Sequence, residues 1–210
     1  MARTDHIVME ADQMDENFNS ANPIVRYVYN KRLKTVVDFV PEHGVAIVLD
    51  AGCGEGHLLN AIQVKHPNAQ LHGVDITDIA LERAAARISN GIFSKQDIEH
   101  LAYADNTFDV VCCVEVLEHI YEYESVCREL IRVTKPGGLI VIAFPNDVLW
   151  TVGRFFLRRK PYRVPDHVNY LSPNKMKKAF GLPIFRLAYI PRAPFFWAAL
   201  NPVLVFKKPA

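Results

Sequence analysis

The chain lacks the features that mark several broad classes of protein. No apolar run approaches the ~20 residues that a membrane-spanning helix needs. The 210 residues carry 24 Lys and Arg against 23 Asp and Glu, a net charge of +1. The chain as a whole is therefore not built to coat nucleic acid. It has 4 cysteines, at positions 53, 112, 113 and 127, and their intervals match no zinc-binding spacing. They read as reduced core residues of a cytoplasmic protein. Cys112 and Cys113 are adjacent on an expected strand and should point to opposite faces. Residues 1–19 are polar and acidic, which excludes a signal peptide there. Internal repeats and low-complexity segments are absent. No Lys-Ser or Lys-Thr follows the glycine turn described below, so there is no phosphate-binding loop of the G-x-x-x-x-G-K-[ST] kind.

The composition supports a sizeable core, since 50% of the residues are hydrophobic. The length fits one domain, here 21–210, after a flexible segment 1–20. Asn22-Pro23 opens a helix, with proline in its first turn. Val25, Val28, Tyr29, Leu33, Val36, Val37 and Val40 continue it at helical spacing, and Pro41-Glu42-His43-Gly44 ends it. Strands at 45–49, 70–74, 92–94, 108–114 and 138–144 then alternate with helices at 56–65, 77–88 and 116–134. Such alternation implies an α/β fold with a mostly parallel sheet and helices on both faces. Lys135-Pro136-Gly137-Gly138 forms a turn before the strand at 138–144. A late helix, 173–180, precedes closing antiparallel strands at 185–190 and 203–207.

The most informative stretch is Val48-Leu49-Asp50-Ala51-Gly52-Cys53-Gly54-Glu55-Gly56. A buried strand ends near Asp50, and three alternate glycines open the next helix. Glycine suits a turn where backbone must approach a ligand closely or take positive φ. The spacing is G-x-G-x-G, not the G-x-G-x-x-G of dinucleotide-binding folds. The second strand ends on Asp75, which can accept both hydroxyls of a ribose or cap the following helix. Asp97-Ile98 follows the third strand, as a ligand contact or as a solvated loop. The three segments, in this order and at these intervals over residues 44–145, resemble the class I S-adenosylmethionine (SAM)-dependent methyltransferases. That resemblance implies a Rossmann-like seven-stranded sheet with an antiparallel last strand. It implies a SAM site lined by Asp50, Gly52, Cys53, Gly54, Asp75, Ile76, Asp97, Ile98 and Glu115. Asp75 would hold the ribose, Asp97 would meet the adenine amino group, and Ile98 would pack on the ring.

After the fourth strand comes Glu115-Val116-Leu117-Glu118-His119. A helix starting near Glu115 would put 115, 118 and 119 on one face. Two carboxylates and an imidazole there could hold a divalent cation, magnesium or manganese. Pro165-Asp166-His167 lies 48 residues beyond His119. This combination, with Phe18-Asn19-Ser20-Ala21-Asn22-Pro23 and Arg26-Tyr27, is similar to a metal-dependent O-methyltransferase group. Its members include ubiquinone-biosynthesis O-methyltransferases and enzymes that methylate the 2′-hydroxyl at the 3′ end of small RNAs. The resemblance implies Glu115, Glu118, His119 and His167 as metal ligands, with His119 and His167 as catalytic residues. A metal-free reading stays open, with Glu115 near the methionine part of the cofactor, Glu118 capping the helix and His119 as a base.

Residues 145–172 form the variable segment expected to choose the acceptor. They hold Trp150, Phe155, Phe156, Leu157, Tyr162 and Tyr170, with Arg154, Arg158, Arg159, Lys160 and Arg163. Two functional readings fit: a lid over an anionic or amphipathic acceptor, or a peripheral membrane contact. The bland reading is an amphipathic helix packing its Phe and Trp on the core. Phe195-Phe196-Trp197 falls in core or in an acceptor pocket. Three functions follow: O-methylation of a small-molecule or lipid-linked hydroxyl, 2′-O-methylation of an RNA end, and non-catalytic SAM-binding regulation. The acceptor and the oligomeric state are not readable from the residues.

Overall fold

The computed structural model describes residues 20–42, 45–156, 158, 165–191 and 199–210. The expectations placed on 1–19, on the turn residues 43–44, on Leu157, Arg159, Lys160, Tyr162 and Arg163, and on Phe195-Phe196-Trp197 lie outside them.

Helix α1, Pro23–Val37, starts as its residues dictate: the Asn22 side chain accepts the Ile24 amide and Pro23 fills the first turn. Strand and helix then alternate as β1 (Ile47–Ala51), α2 (His57–Lys65), β2 (Gln70–Asp75), α3 (Asp78–Arg87), β3 (Ile92–Lys95) and β4 (Phe108–Val114). A 3-10 turn, Leu117–His119, leads to α4 (Tyr123–Val133), β5 (Thr134–Ala143), α5 (Asp147–Phe156), α6 (Pro173–Phe180), β6 (Ile184–Ile190) and β7 (Asn201–Lys207). The strands form one seven-stranded sheet in the order β3-β2-β1-β4-β5-β7-β6. All pairings are parallel except those of β7, which runs antiparallel to β5 and β6. This is the expected Rossmann-like architecture.

Strand alternation divides the core in two. Val110 and Cys112 of β4 join Val203 and Val205 of β7 under α1 and α2. Val111 and Cys113 join Leu204 and Phe206 under α4 and α6. Cys112 and Cys113 thus face opposite layers as expected, and all four cysteines are buried and free. Phe180 of α6 stacks on Phe206 at 4.4 Å between ring centroids.

Several boundaries differ from the sequence reading, and three of the differences bear on the candidate site or its sheet. Strand β1 extends to Ala51, so Asp50 is a buried strand residue pairing toward Gly73 and Cys112. The turn begins only at Gly52, whose amide, with that of Cys53, donates to the Val74 carbonyl. The expected turn at 135–138 is a bulge inside β5, with Gly137 at φ 76°. The expected helix from 116 begins only at Tyr123, because Glu115 takes a left-handed φ of 59° and the 3-10 turn intervenes. Among the described residues no helix is long and apolar enough to cross a membrane.

Phe108 is fully buried and Val64 is 79% exposed. We expect Phe108→Ala to lower unfolding free energy by about 3–5 kcal/mol. Val64→Ala should stay within about 0.5 kcal/mol. Denaturant melts of both variants check the assignment of core and surface.

Candidate active site

The carboxyl ends of β1, β2 and β3 lie side by side, the position where open α/β sheets bind ligands. Gly52, Gly54 and Gly56 all take positive φ, at 81°, 49° and 77°. They do so for different reasons. A Cβ on Gly52 would lie 2.5 Å from Val116 Cγ2, so Gly52 is needed for close packing against the chain after β4. A Cβ on Gly54 would meet nothing within 4 Å. The space beside Gly54 is thus open, as a cofactor cradle requires.

Asp75 fastens this turn. One carboxylate oxygen accepts the Gly54 amide and the other the Thr77 amide, both at 2.9 Å. Each oxygen keeps a second lone pair for a ligand hydroxyl. Asp50 sits behind, its carboxyl held well above the usual range by burial and then by the Asp75 charge. Burial also pushes the Cys53 thiol up, so it is no thiolate nucleophile. Ile76 is half exposed at the end of β2. The Gln96 amide bonds the Asp75 carbonyl, which draws Asp97 and buried Ile98 toward the same edge. The Asp97 carboxylate accepts the Glu99 amide.

The second half of the site lies at the ends of β4 and β5. Glu118, His119 and His167 come together, with one ligand-capable atom from each within 4.8 Å of the others. They are not neighbours on a helical face: Glu118 and His119 stand on the 3-10 turn, and His167 is delivered by a docked loop. The loop is zipped to that turn. The Val168 and Asn169 amides both donate to the Glu118 carbonyl, at 2.9 and 3.0 Å, and the Asn169 side chain donates to the Ile120 carbonyl. The two imidazoles meet edge to face at 4.8 Å.

Both rings are oriented through Nδ1. His119 Nδ1 donates to the Asp166 carbonyl at 3.1 Å, with the Asp166 carboxylate at 3.3 Å. His167 Nδ1 pairs with the Asp147 carboxylate. Oxygen partners at Nδ1 leave Nε2 of each ring with a lone pair for a metal or a proton. Burial, and then the neighbouring His167, lowers the His119 pKa and favours that neutral form.

Glu118 is 1% exposed, and neither carboxylate oxygen has a hydrogen-bond partner. Burial, then the charge of Glu115, raises its pKa well above the usual carboxylate range. A buried bare carboxylate costs several kcal/mol unless a counter-charge or a proton accompanies it. The orphaned oxygens and two free imidazole nitrogens suit a divalent cation.

Glu115 does not join this set. One of its oxygens pairs with Arg32 at 2.9 Å and the other accepts Asn201 Nδ2 at 2.8 Å. Sequence reasoning missed Arg32, Asn201, Asp147 and Asn169. A signal existed for Arg32: Val28, Arg32 and Val36 share helical phase and are all buried, and a cation on an apolar stripe calls for a buried anion. Arg32 also lies over the Tyr29 ring at 4.4 Å. Burial pushes the Tyr29 phenol up to about 12. Glu55, inside the glycine turn, was missed too. It is buried and paired with Arg83 at 2.6 Å, which ties the turn to α3.

We expect Gly52→Ala to destabilise the fold by about 1–3 kcal/mol through backbone strain, beyond the clash with Val116. Gly54→Ala should lower the melting temperature less and weaken SAM binding more. Thermal melts and calorimetric SAM titrations of the two variants read these effects separately.

Comparisons with known proteins agree with this geometry. A family model described as "Methyltransferase domain" matches residues 43–179. The chain is 33% identical over 153 residues to the methyltransferase GfsG of Streptomyces halstedii, covering 67% of this chain and 54% of that protein. It is 30% identical over 139 residues to a ubiquinone biosynthesis O-methyltransferase of Coxiella burnetii, covering 61% and 58%. The chain thus spans little more than half the length of these relatives. The fold superimposes on a TehB-like SAM-dependent methyltransferase from Corynebacterium glutamicum with a TM-score of 0.63 at 17% identity, covering 84% of this chain and 86% of that one. With the family match over most of the chain and the glycine cradle in place, the protein belongs to the class I SAM-dependent methyltransferases.

Proposed function

We propose that the chain transfers the methyl group of SAM to a hydroxyl oxygen of a small or lipid-linked acceptor, with a divalent cation assisting. The observation that carries this reading is the buried Glu118 carboxylate, unpartnered at both oxygens and beside His119 and His167. Similarity to ubiquinone biosynthesis O-methyltransferases supports oxygen as the acceptor atom. Glu118, His119 and His167 would hold the cation, with magnesium and manganese the expected ions. The mixed nitrogen and oxygen donors suit manganese better.

SAM supplies an activated methyl group on a sulfonium centre. A hydroxyl is a weak nucleophile until its proton leaves, and a bound cation makes that departure easier. The protein's residues do the rest. Asp75 and the glycine turn fix the donor, and the 3-10 turn presents the cluster to the same sheet edge. Holding both reactants in line is worth ~7–11 kcal/mol. Asp166 and Asp147 keep each ring's hydrogen on Nδ1, so Nε2 can bind a cation. Without a cation, Nε2 of His119 or His167 can take the acceptor proton instead.

A second reading, 2′-O-methylation of an RNA end, draws on the same cluster. The four-ligand set of that group is incomplete here, because Arg32 and Asn201 hold Glu115.

The test uses methyl-labelled SAM and fractionated cell extract. Label should enter a small-molecule or lipid fraction, fall on chelation and return with manganese or magnesium. Asp147→Ala, which frees His167 Nδ1, should reduce transfer on the order of 10–100-fold. Chelator-insensitive transfer with a harmless Asp147→Ala would remove the cation from the account. Label in RNA would favour the second reading.

A further inference from the structure

Given the cation reading above, on which this inference rests, we propose that Arg32 is a positioning residue. It withholds Glu115 from the cation cluster and so keeps coordination positions open for the acceptor. Glu115 follows β4 directly and precedes Glu118 by three residues, yet its carboxylate lies outside the group formed by Glu118, His119 and His167. It is close all the same: after burial, its charge is the next cause of the raised Glu118 pKa. A second carboxylate so near a set of oxygen and nitrogen donors would serve as a further ligand if it were free to turn.

It is held from two sides. Glu115 Oε2 pairs with Arg32 Nη1 of α1 at 2.9 Å, and Glu115 Oε1 accepts Asn201 Nδ2 of β7 at 2.8 Å. Arg32 and Asn201 are 2% and 1% exposed. Among the described residues no other Lys or Arg is buried, and Arg32 shares the buried stripe of α1 with Val28 and Val36. A buried guanidinium left without its anion is strongly unfavourable, so this pair is hard to part. The Tyr29 ring, its centroid 4.4 Å from the guanidinium carbon, adds a second hold on Arg32. The Glu115 backbone is fixed as well. Its φ of 59° is one that residues with side chains seldom take, and its amide donates to the Ala143 carbonyl at 2.8 Å.

The restraint has two chemical consequences. Magnesium and manganese favour octahedral surroundings, so three protein ligands leave about half of the positions to donors from outside the chain. Each further side chain would take a position that the acceptor oxygen could use. Pairing with Arg32 also neutralises Glu115. The cluster then carries a single carboxylate against a divalent charge, and the remaining positive charge favours loss of the acceptor's proton.

The test is manganese binding to the full chain loaded with SAM, read by calorimetry and by the relaxation of water protons at the bound ion. Arg32→Met releases Glu115. It should bind manganese at least tenfold more tightly than wild type, and water relaxation should fall as the carboxylate displaces a water. The double variant Arg32→Met/Glu115→Gln removes the pair without leaving a buried charge. It should return both readings to those of wild type, and it keeps the test decisive if Arg32→Met folds poorly. A purely structural role for Arg32 would weaken manganese binding in Arg32→Met, and that result would overturn the proposal. So would unchanged affinity and relaxation in Arg32→Met. A tenfold loss of affinity in the double variant would overturn it too, by showing that Glu115 is already a ligand. These three failures leave the cation reading standing, whereas absence of manganese binding in wild type would remove that reading and this inference together.

Discussion

A buried carboxylate with no hydrogen-bond partner among the described residues is the constraint on which the candidate site depends. Glu118 cannot sit bare at the edge of the sheet without a cost of several kcal/mol. The surrounding structure does not relieve that cost with donors. The buried Arg32 pairs with Glu115, and the backbone amides of 168 and 169 go to the Glu118 carbonyl rather than to its side chain. What remains beside the carboxylate is two imidazoles whose Nδ1 positions are already committed. The arrangement makes sense when a proton or a metal ion completes it.

The fold supplies the rest through one repeated device. Each parallel strand ends at the same edge and passes there into a glycine or acidic segment: the glycine turn after β1, Asp75 closing β2, Asp97 after β3 and Glu115 after β4. Backbone bonds link the neighbours, from the Gly52 and Cys53 amides to Val74, from Gln96 to Asp75 and from Glu115 to Ala143. The glycine turn, Asp75, Asp97 and the 3-10 turn after β4 are therefore tied to one edge of the sheet. The His167 loop is the exception. It is held by the 3-10 turn and by Asp147 at the start of α5.

Much of this was legible in the sequence, for physical reasons. Strand and helix periodicities differ enough that the alternation of β4 and β5 and the late helix at 173–180 could be read directly. Glycines at 52, 54 and 56 announced a turn because few other residues tolerate positive φ. The cluster was legible by residue type and not by geometry. A positive φ at Glu115, a residue other than glycine, broke the expected helix, and nothing local signals such strain. The loss of Glu115 to Arg32 and Asn201 joins residues 83 and 86 positions apart, a relation that only the assembled fold contains. Asp147 and Asn169 were missed for the same reason, since their roles exist only once the loop docks. The arginines and aromatics after β5 could be seen as a cluster, but which faced outward depended on how α5 lay against the core.

The central claim is that Glu118, His119 and His167 bind a divalent cation. Calorimetric titration of manganese into the metal-free, SAM-loaded protein tests it most directly. The account predicts saturable binding of a single ion per chain, lost in Glu118→Gln although that variant still folds and binds SAM. Absence of binding heat in the wild type, or unchanged manganese affinity in Glu118→Gln, would contradict it and leave Glu118 as a protonated structural carboxyl.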